Sequence, residues 1–265
     1  MKQYLQALQH VIDHGRTKDT RGIHPVKSTF GYQMRFDLRR GFPIVTTKKM
    51  PFKIMVNELL WFISGKTNID WLNQHGIHYW NDFADDQGEL GPVYGHQWRR
   101  WPDYEGDEID QLKNVIEEIK TTPDSKAMIV SAWNPAQLDE MRLPPCHTFF
   151  QFNVTKGKLR LQLYQRSADA FLGLPFNISQ YSLLLLMVAQ VTGLEAREFI
   201  HTIGDLHIYK NHLEPAKKQL ERQPYRRPLV MLNPKVKEID DFTENDFKLI
   251  NYQAHPHIAG ELVVV

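Results

Sequence analysis

Apolar residues along this chain recur with two different periods, and the switches between them outline the fold. In residues 1–15, Tyr4, Leu5, Leu8, Val11 and Ile12 share one helical face, and "TFGYQMRFDL" (29–38) then alternates like a half-buried strand. "PFKIMVNELLWFISG" (51–65) predicts a helix, with Pro near its start, Gly past its end and Ile54, Met55, Leu59, Phe62 and Ile63 as apolar positions. Residues 68–102 follow neither period and are rich in Trp, Gly, Asp and His, which predicts long loops rather than a core element. "AMIVSAWN" (127–134) predicts a strand, and "HTFFQFNVTKGKLRLQLYQRS" predicts a long hairpin turning at Lys156 and Gly157. A helix over 179–192, a strand running into a helix in "EFIHTIGDLHIYKNHLEPAKKQL" and short strands in "RPLVMLNP" and "FKLINYQ" complete the pattern. The fold class expected is mixed α/β of the α+β type. No repeat, low-complexity tract or linker divides the chain, so one domain is expected over 1–265.

The second arm of the hairpin has two unlike faces. Leu159, Leu161 and Leu163 share one, and Arg160, Gln162, Tyr164 and Arg166 share the other. A polar and aromatic face suits either water or a subunit contact, and the pattern alone leaves both open.

Composition changes this picture little. At 265 residues and 42 % apolar content the chain can bury a sizeable core. Its 32 Lys plus Arg against 31 Asp plus Glu give a formal charge of +1, so there is no general attraction to nucleic acid or membrane. The apolar run 181–191 is about half the roughly 20 residues a membrane span needs, and reads as a buried helix. A single cysteine forms no internal disulfide and the amino terminus does not read as a signal peptide, which points to a reducing, cytoplasmic compartment.

That cysteine, Cys146, stands in "LPPCH", behind two prolines that would fix its approach. A lone Cys is most often a small buried hydrophobe. Nearby cations or aligned dipoles would instead make it a nucleophile. No cysteine-protease signature surrounds it, and one Cys with scattered His lacks the paired spacing of a zinc site, so no metal is expected. His255 and His257 in "HPH" read as surface residues.

"LYQRSADAFLGLPFNISQYSLLLLMVAQ" (163–190), with "ELLWF", "LGPVYGHQW", "LPPCH" and "GDLHIY", resembles the thymidylate synthase family, with the motifs in that family's order from Met1 to the carboxyl end. The resemblance implies a large bent mixed β-sheet flanked by helices, whose open face forms an obligate homodimer. It also implies a reaction in which a cysteine thiolate adds to C6 of dUMP and C5 takes the one-carbon unit of 5,10-methylenetetrahydrofolate. On it, Cys146 is the nucleophile, Arg166 and Ser167 are phosphate ligands, and His207 and Tyr209 hold the sugar hydroxyl. Asn177 reads the base, although its position also suits an N-terminal cap for the helix that follows. Glu58 is the acid/base group, its pKa raised by burial, and Tyr94 assists at C5. Trp80, Asp169, Leu172, Gly173, Phe176 and the closing terminus with Val264 form the folate pocket, while Asp169 also borders the nucleotide.

The chain departs from the family pattern at the rim. Lys126 and Ala127 stand where two arginines usually reach the partner subunit's phosphate site. Arg21 is in place, but "TRGIHPVKS" has lost the usual threonine and glycine repeat, leaving His24 or Lys27 as candidate replacements for lost charge. Pro51, Tyr79 and Phe83 replace a histidine, a smaller aliphatic residue and a tryptophan. These departures keep a pyrimidine nucleotide 5-hydroxymethylase acting on dUMP, dCMP or CMP as the alternative to thymidylate synthesis, and a silent nucleotide- or RNA-binding relative as a third reading.

Overall fold

The computed structural model describes residues 1–20 and 24–263. Helix α1 (Lys2–His14) buries Tyr4, Ala7, Leu8 and Val11, the face the spacing predicts. Strands β1 (Arg16–Lys18) and β2 (Val26–Asp37) follow, then helices α2 (Phe52–Ile63), α3 (Asp70–Gln74) and α4 (Tyr94–Arg99). A small strand pair β3 (Trp101–Pro102) and β4 (Glu108–Ile109) leads to α5 (Gln111–Thr121), β5 (Ile129–Ser131), β6 (His147–Thr155) and β7 (Lys158–Asp169). The chain ends with α6 (Gly173–Thr192), β8 (Glu195–Tyr209), α7 (Leu213–Leu220), β9 (Leu229–Leu232) and β10 (Phe247–Ile250).

Among the described residues six strands form one mixed sheet in the order β1-β2-β8-β7-β6-β5, so the mixed fold expected from the pattern is found. Only β7 and β8 run parallel; their connection is α6, the long crossover that a parallel pair requires. The β6–β7 hairpin turns at Lys156 and Gly157, whose φ angles of 51° and 70° are the left-handed values that a tight two-residue hairpin needs. Leu159, Leu161 and Leu163 are fully buried under α6, while Gln162, Thr202 and Gln33 on the opposite face join in side-chain hydrogen bonds.

Three elements differ from the sequence expectation. Helix α6 begins at Gly173, not near 179, because the polar residues that break up its apolar run (Asn177, Ser179 and Gln180) are themselves buried. Its 20 residues are long and apolar enough to cross a membrane, but 83 % of its most apolar window is buried inside the protein, so its apolar surface is satisfied by the core. Asn177 therefore lies in the second turn of α6 and caps nothing. The 68–102 stretch does contribute to the core: Leu72, Ile77, Leu90, Val93 and Trp98 are buried without a period, since two short helices (Leu72 on α3, Trp98 on α4) and the turns between them, rather than one long element, place them. Asp85, for example, accepts the Gln87 and Glu89 N–H groups. Helix α5 is an element the reading passed over, although Asp110 caps it by accepting the Lys113 N–H at 2.9 Å and Leu112, Val115, Ile116 and Ile119 form its buried stripe. The last two predicted strands pair with each other, apart from the main sheet.

Helix α4 crosses α2 at Gly95, where an added Cβ would lie 2.5 Å from the Phe62 carbonyl oxygen and 3.1 Å from the Gly65 Cα. Both neighbours are backbone, so a side chain at 95 has to move α4 away from α2 and carry Tyr94 with it. Gly95→Ala should lower the unfolding free energy by about 1–3 kcal/mol in urea titrations and should reduce turnover in parallel. Unchanged stability would mean that the crossing yields more easily than its geometry implies.

Candidate active site

Cys146 ends the Pro144-Pro145 turn just before β6, and four hydrogen bonds fix the turn. Its backbone N–H donates to the Tyr94 Oη at 2.9 Å, and its carbonyl accepts the Arg166 N–H at 2.9 Å. The Arg166 guanidinium closes the turn from outside, donating from Nε to the Pro145 carbonyl at 2.9 Å and from Nη2 to the Pro144 carbonyl at 2.6 Å. Burial pushes the Cys146 thiol up, with the positive charge of Arg166 and the Tyr94 hydroxyl pulling it back. Burial beside Cys146 also raises the Tyr94 phenol, so Tyr94 stays protonated at neutral pH.

Facing this turn is a buried carboxyl. Glu58, on the inner side of α2, is 6 % exposed and accepts hydrogen bonds from Trp80 Nε1 and Gln180 Nε2, each at 2.6 Å. Burial pushes its carboxyl above the ordinary range, and the two donors oppose that shift without cancelling it. Around it Trp80 meets Phe62, Phe83 and Tyr94 edge to face, with centroids 6.0–6.3 Å apart. Tyr79 sits beside Glu58, and burial together with that negative charge lifts its phenol well above the usual value.

The carboxyl ends of β7 and β8 carry the polar wall. Parallel pairing sets Ser167 opposite Asp205 and Asp169 opposite His207. His207 Nδ1 is 3.0 Å from Asp205 Oδ1, which also accepts the Ser28 hydroxyl at 2.9 Å, while Lys18 pairs with the other Asp205 oxygen. Burial opposes the ionised Asp169, but His212 and then His207 outweigh it and hold the carboxyl below its ordinary range. Tyr209 lies in the same corner, its phenol pushed up to about 12 by burial and by Asp169. Across the gap, Leu172 and Gly173 open α6, and Phe176 meets Tyr79 edge to face at 6.2 Å.

Asn177 projects from α6 towards this group, and its Oδ1 accepts from Gln165 Nε2 at 3.0 Å. The structure thus gathers Cys146, Tyr94, Arg166, Glu58, Trp80, Asn177, Ser167, Asp169, His207 and Tyr209 into one region between α2, α6 and the ends of β7 and β8. Together they offer a thiol, a protonated phenol, a carboxyl raised above its ordinary range by burial and a carboxamide beside an aromatic wall. That set can add a nucleophile to a planar heterocycle and manage its protons.

A family model described as thymidylate synthase matches residues 2–264. The chain belongs to the thymidylate synthase family. Members are enzymes that transfer a one-carbon unit from methylenetetrahydrofolate to C5 of a pyrimidine nucleotide, by methylation or hydroxymethylation. The chain is accordingly a folate-dependent one-carbon transferase that binds a nucleotide and a reduced folate.

Against that family background, several expected residues stand apart from the gathered site. Lys126 is exposed ahead of β5, and only its carbonyl is engaged, by Gln151 Nε2 at 2.8 Å. Ala127 beside it is exposed too. Lys27 donates to the Ile12 carbonyl and so points at α1, and His24 Nε2 is 4.0 Å from Glu261. Arg21 and Val264 lie outside the described residues. Among the described residues no group of three His, Cys, Asp or Glu side chains is disposed to hold a metal.

The sequence reading missed Gln180, Gln165, His147 and Lys48. Gln180 could have been found as the carboxamide just ahead of the apolar run 181–189, where it needs a partner. Lys48 gave no signal in "TTKKM", yet it is buried, donates to the Phe171 carbonyl at 2.6 Å and lies 3.7 Å from that ring's centre. Burial lowers its pKa to about 8, with Asp169 opposing the shift.

His147 and His201 are buried in this region and lowered by burial to about 4 and about 3 respectively. Folding keeps both neutral, so the unfolded chain binds more protons than the folded one as pH falls below the ordinary 6.5. Stability is therefore complete above pH 6.5 and declines on acidification towards the folded values. Between pH 6.5 and 5.0 each histidine should remove about 2 kcal/mol, read as a falling urea midpoint. A flat midpoint across that window would show that the folded protein protonates them freely.

Proposed function

We propose that this chain is a thymidylate synthase, converting dUMP to dTMP with release of dihydrofolate, and that residues 1–265 form its single catalytic domain. The observation that carries this reading is the carboxamide of Asn177, held at 3.0 Å by Gln165, the strand neighbour of the Arg166 that clamps Cys146. An amide with its oxygen and nitrogen both directed at a ring edge can accept from uracil N3–H and donate to O4. Methylenetetrahydrofolate supplies the one-carbon unit and then the hydride that reduces it to a methyl group.

The chain's own residues divide the remaining work. Cys146 forms the bond to C6 as its thiolate, favoured by Arg166, and the C5–C6 electron pair moves to C5 and O4. Glu58, its carboxyl raised by burial, exchanges protons at O4 and at the departing amine, and Tyr94 assists removal of the C5 proton. Arg166 and Ser167, with Arg21, hold the phosphate, and His207 and Tyr209 hold the sugar. Trp80, Leu172, Gly173, Phe176 and Val264 cover the pterin ring, while Asp169 takes its polar edge.

The protein is proposed to act as a cytoplasmic homodimer through the open sheet face. Ile129 and Phe149 are 44 % and 37 % exposed there, and Phe149 stacks on Tyr164 with ring centres 5.7 Å apart. Lys126, exposed at the same edge, would reach the partner's phosphate site with one point charge in place of a planar two-donor group.

The test is incubation of the pure protein with methylenetetrahydrofolate and each of dUMP, dCMP, UMP and CMP. Products are identified by mass spectrometry, and dihydrofolate is followed by absorbance. The expected outcome is dTMP from dUMP, one dihydrofolate per turnover, and loss of several powers of ten in turnover for Cys146→Ser. A hydroxymethyl nucleotide formed without dihydrofolate would replace this reading with the hydroxymethylase.

A further inference from the structure

Asn177 can read a base only if its amide is held one way round, because the two orientations present opposite hydrogen-bonding patterns. Uracil offers a donor at N3 and an acceptor at O4. Cytosine offers an acceptor at N3 and a donor at N4. The structure contains a chain of buried contacts that settles which orientation Asn177 takes.

The chain can be read from a fixed point. Gln165 Nε2 lies 2.9 Å from the Ser167 carbonyl, which only accepts, so the nitrogen of Gln165 must be on that side. Its second hydrogen meets Asn177 at 3.0 Å, so the Asn177 atom there must be oxygen. The oxygen of Gln165 is then on the far side, 2.8 Å from His201 Nε2, and needs a proton from it. His201 is fully buried on β8, its ring 5.4 Å from that of Phe199. Its Nδ1 has no partner, so a proton there would be a buried donor without an acceptor. Neutral imidazole with its hydrogen on Nε2 is the one form that satisfies every contact.

We propose that His201 is a positioning residue that, through Gln165, locks the Asn177 carboxamide in the orientation that accepts uracil and refuses cytosine. This rests on Asn177 being the base-reading group. Turning the Asn177 amide over would set its nitrogen against the Gln165 nitrogen, two donors facing each other in a dry site. Gln165 cannot turn to relieve them, since the Ser167 carbonyl and the His201 N–H hold both its ends. A mismatch of that kind sets the discrimination at on the order of 10- to 100-fold.

The experiment compares the full chain with His201→Leu, which has no donor, and His201→Gln, which can supply an N–H to Gln165. Dissociation constants for dUMP and dCMP come from calorimetry, and kcat and KM for both nucleotides from turnover with methylenetetrahydrofolate. His201→Leu should lower the preference for dUMP over dCMP on the order of 10- to 100-fold, through Kd and KM rather than kcat, and His201→Gln should recover most of it. A purely structural role would weaken both nucleotides alike, and a folded His201→Leu protein with an unchanged ratio overturns the proposal. Nitrogen NMR of the unsubstituted protein gives a second readout that no folding failure can obscure: the hydrogen should be on Nε2 of His201, and a hydrogen on Nδ1 overturns the relay. Preference for dUMP without dTMP formation would sink the synthase reading and leave the relay standing, whereas equal binding of dUMP and dCMP by the unsubstituted protein would sink the relay.

Discussion

Parallel pairing of β7 with β8 is the constraint on which the rest of the site depends. A parallel neighbour brings two strand ends of the same polarity together, and here that places Ser167 beside Asp205 and Asp169 beside His207. The pairing needs a long crossover, and α6 supplies it while carrying Asn177 and Gln180 over the same strand ends. One topological choice therefore delivers Ser167, Asp169 and His207, the Asn177 amide and one of the donors to Glu58. A slip of one residue between β7 and β8 would turn Ser167 and Asp169 to the other face.

Within that frame, dryness does most of the chemical tuning. Glu58 is raised because α2 buries it, and its two donors are neutral, so they stabilise the ionised form less than a cation would. Asp169 is buried as well but goes the other way, because His212 and His207 face it. Two carboxyls in one site thus hold different protonation tendencies, which is the arrangement that lets one exchange protons while the other holds a ligand. Arg166 acts on Cys146 both by charge and by fixing the turn through two proline carbonyls. Proline nitrogens carry no hydrogen, so the turn cannot use them to bond elsewhere, and the guanidinium becomes its principal outer tie.

Much of this was legible in the sequence where local chemistry and fold agree. The amphipathic face of α1, the leucine face of β7 and the Lys156-Gly157 turn were readable because period and turn residues determine them directly. The start of α6 was not, since Asn177, Ser179 and Gln180 look like a loop until their buried partners are known. Nor was the core contribution of 68–102, where α3 and α4, which carry Leu72 and Trp98, are too short to show a repeating period and turns set Ile77 and Leu90. The family motifs single out Cys146, Glu58, Tyr94 and Asn177 but not what holds them: Gln165, His201 and Lys48 have no signature because each acts through a partner distant in sequence.

The same distinction explains how this chain can depart from its family's usual pattern at Lys126 and Ala127. The buried groups are coupled: changing Gln180 would leave Glu58 a donor short, and changing Gln165 would free Asn177. Each such change exposes the desolvation cost of the partner left behind, typically 1–3 kcal/mol. Lys126 and Ala127 have no such partners. They are exposed, and a cation there acts on a phosphate largely through water and salt, where a single contact is worth much less than in the dry interior. Substitution at the rim thus removes only the interaction itself, and neighbouring charge can make up part of the loss. At the buried centre the residues are held in place by one another.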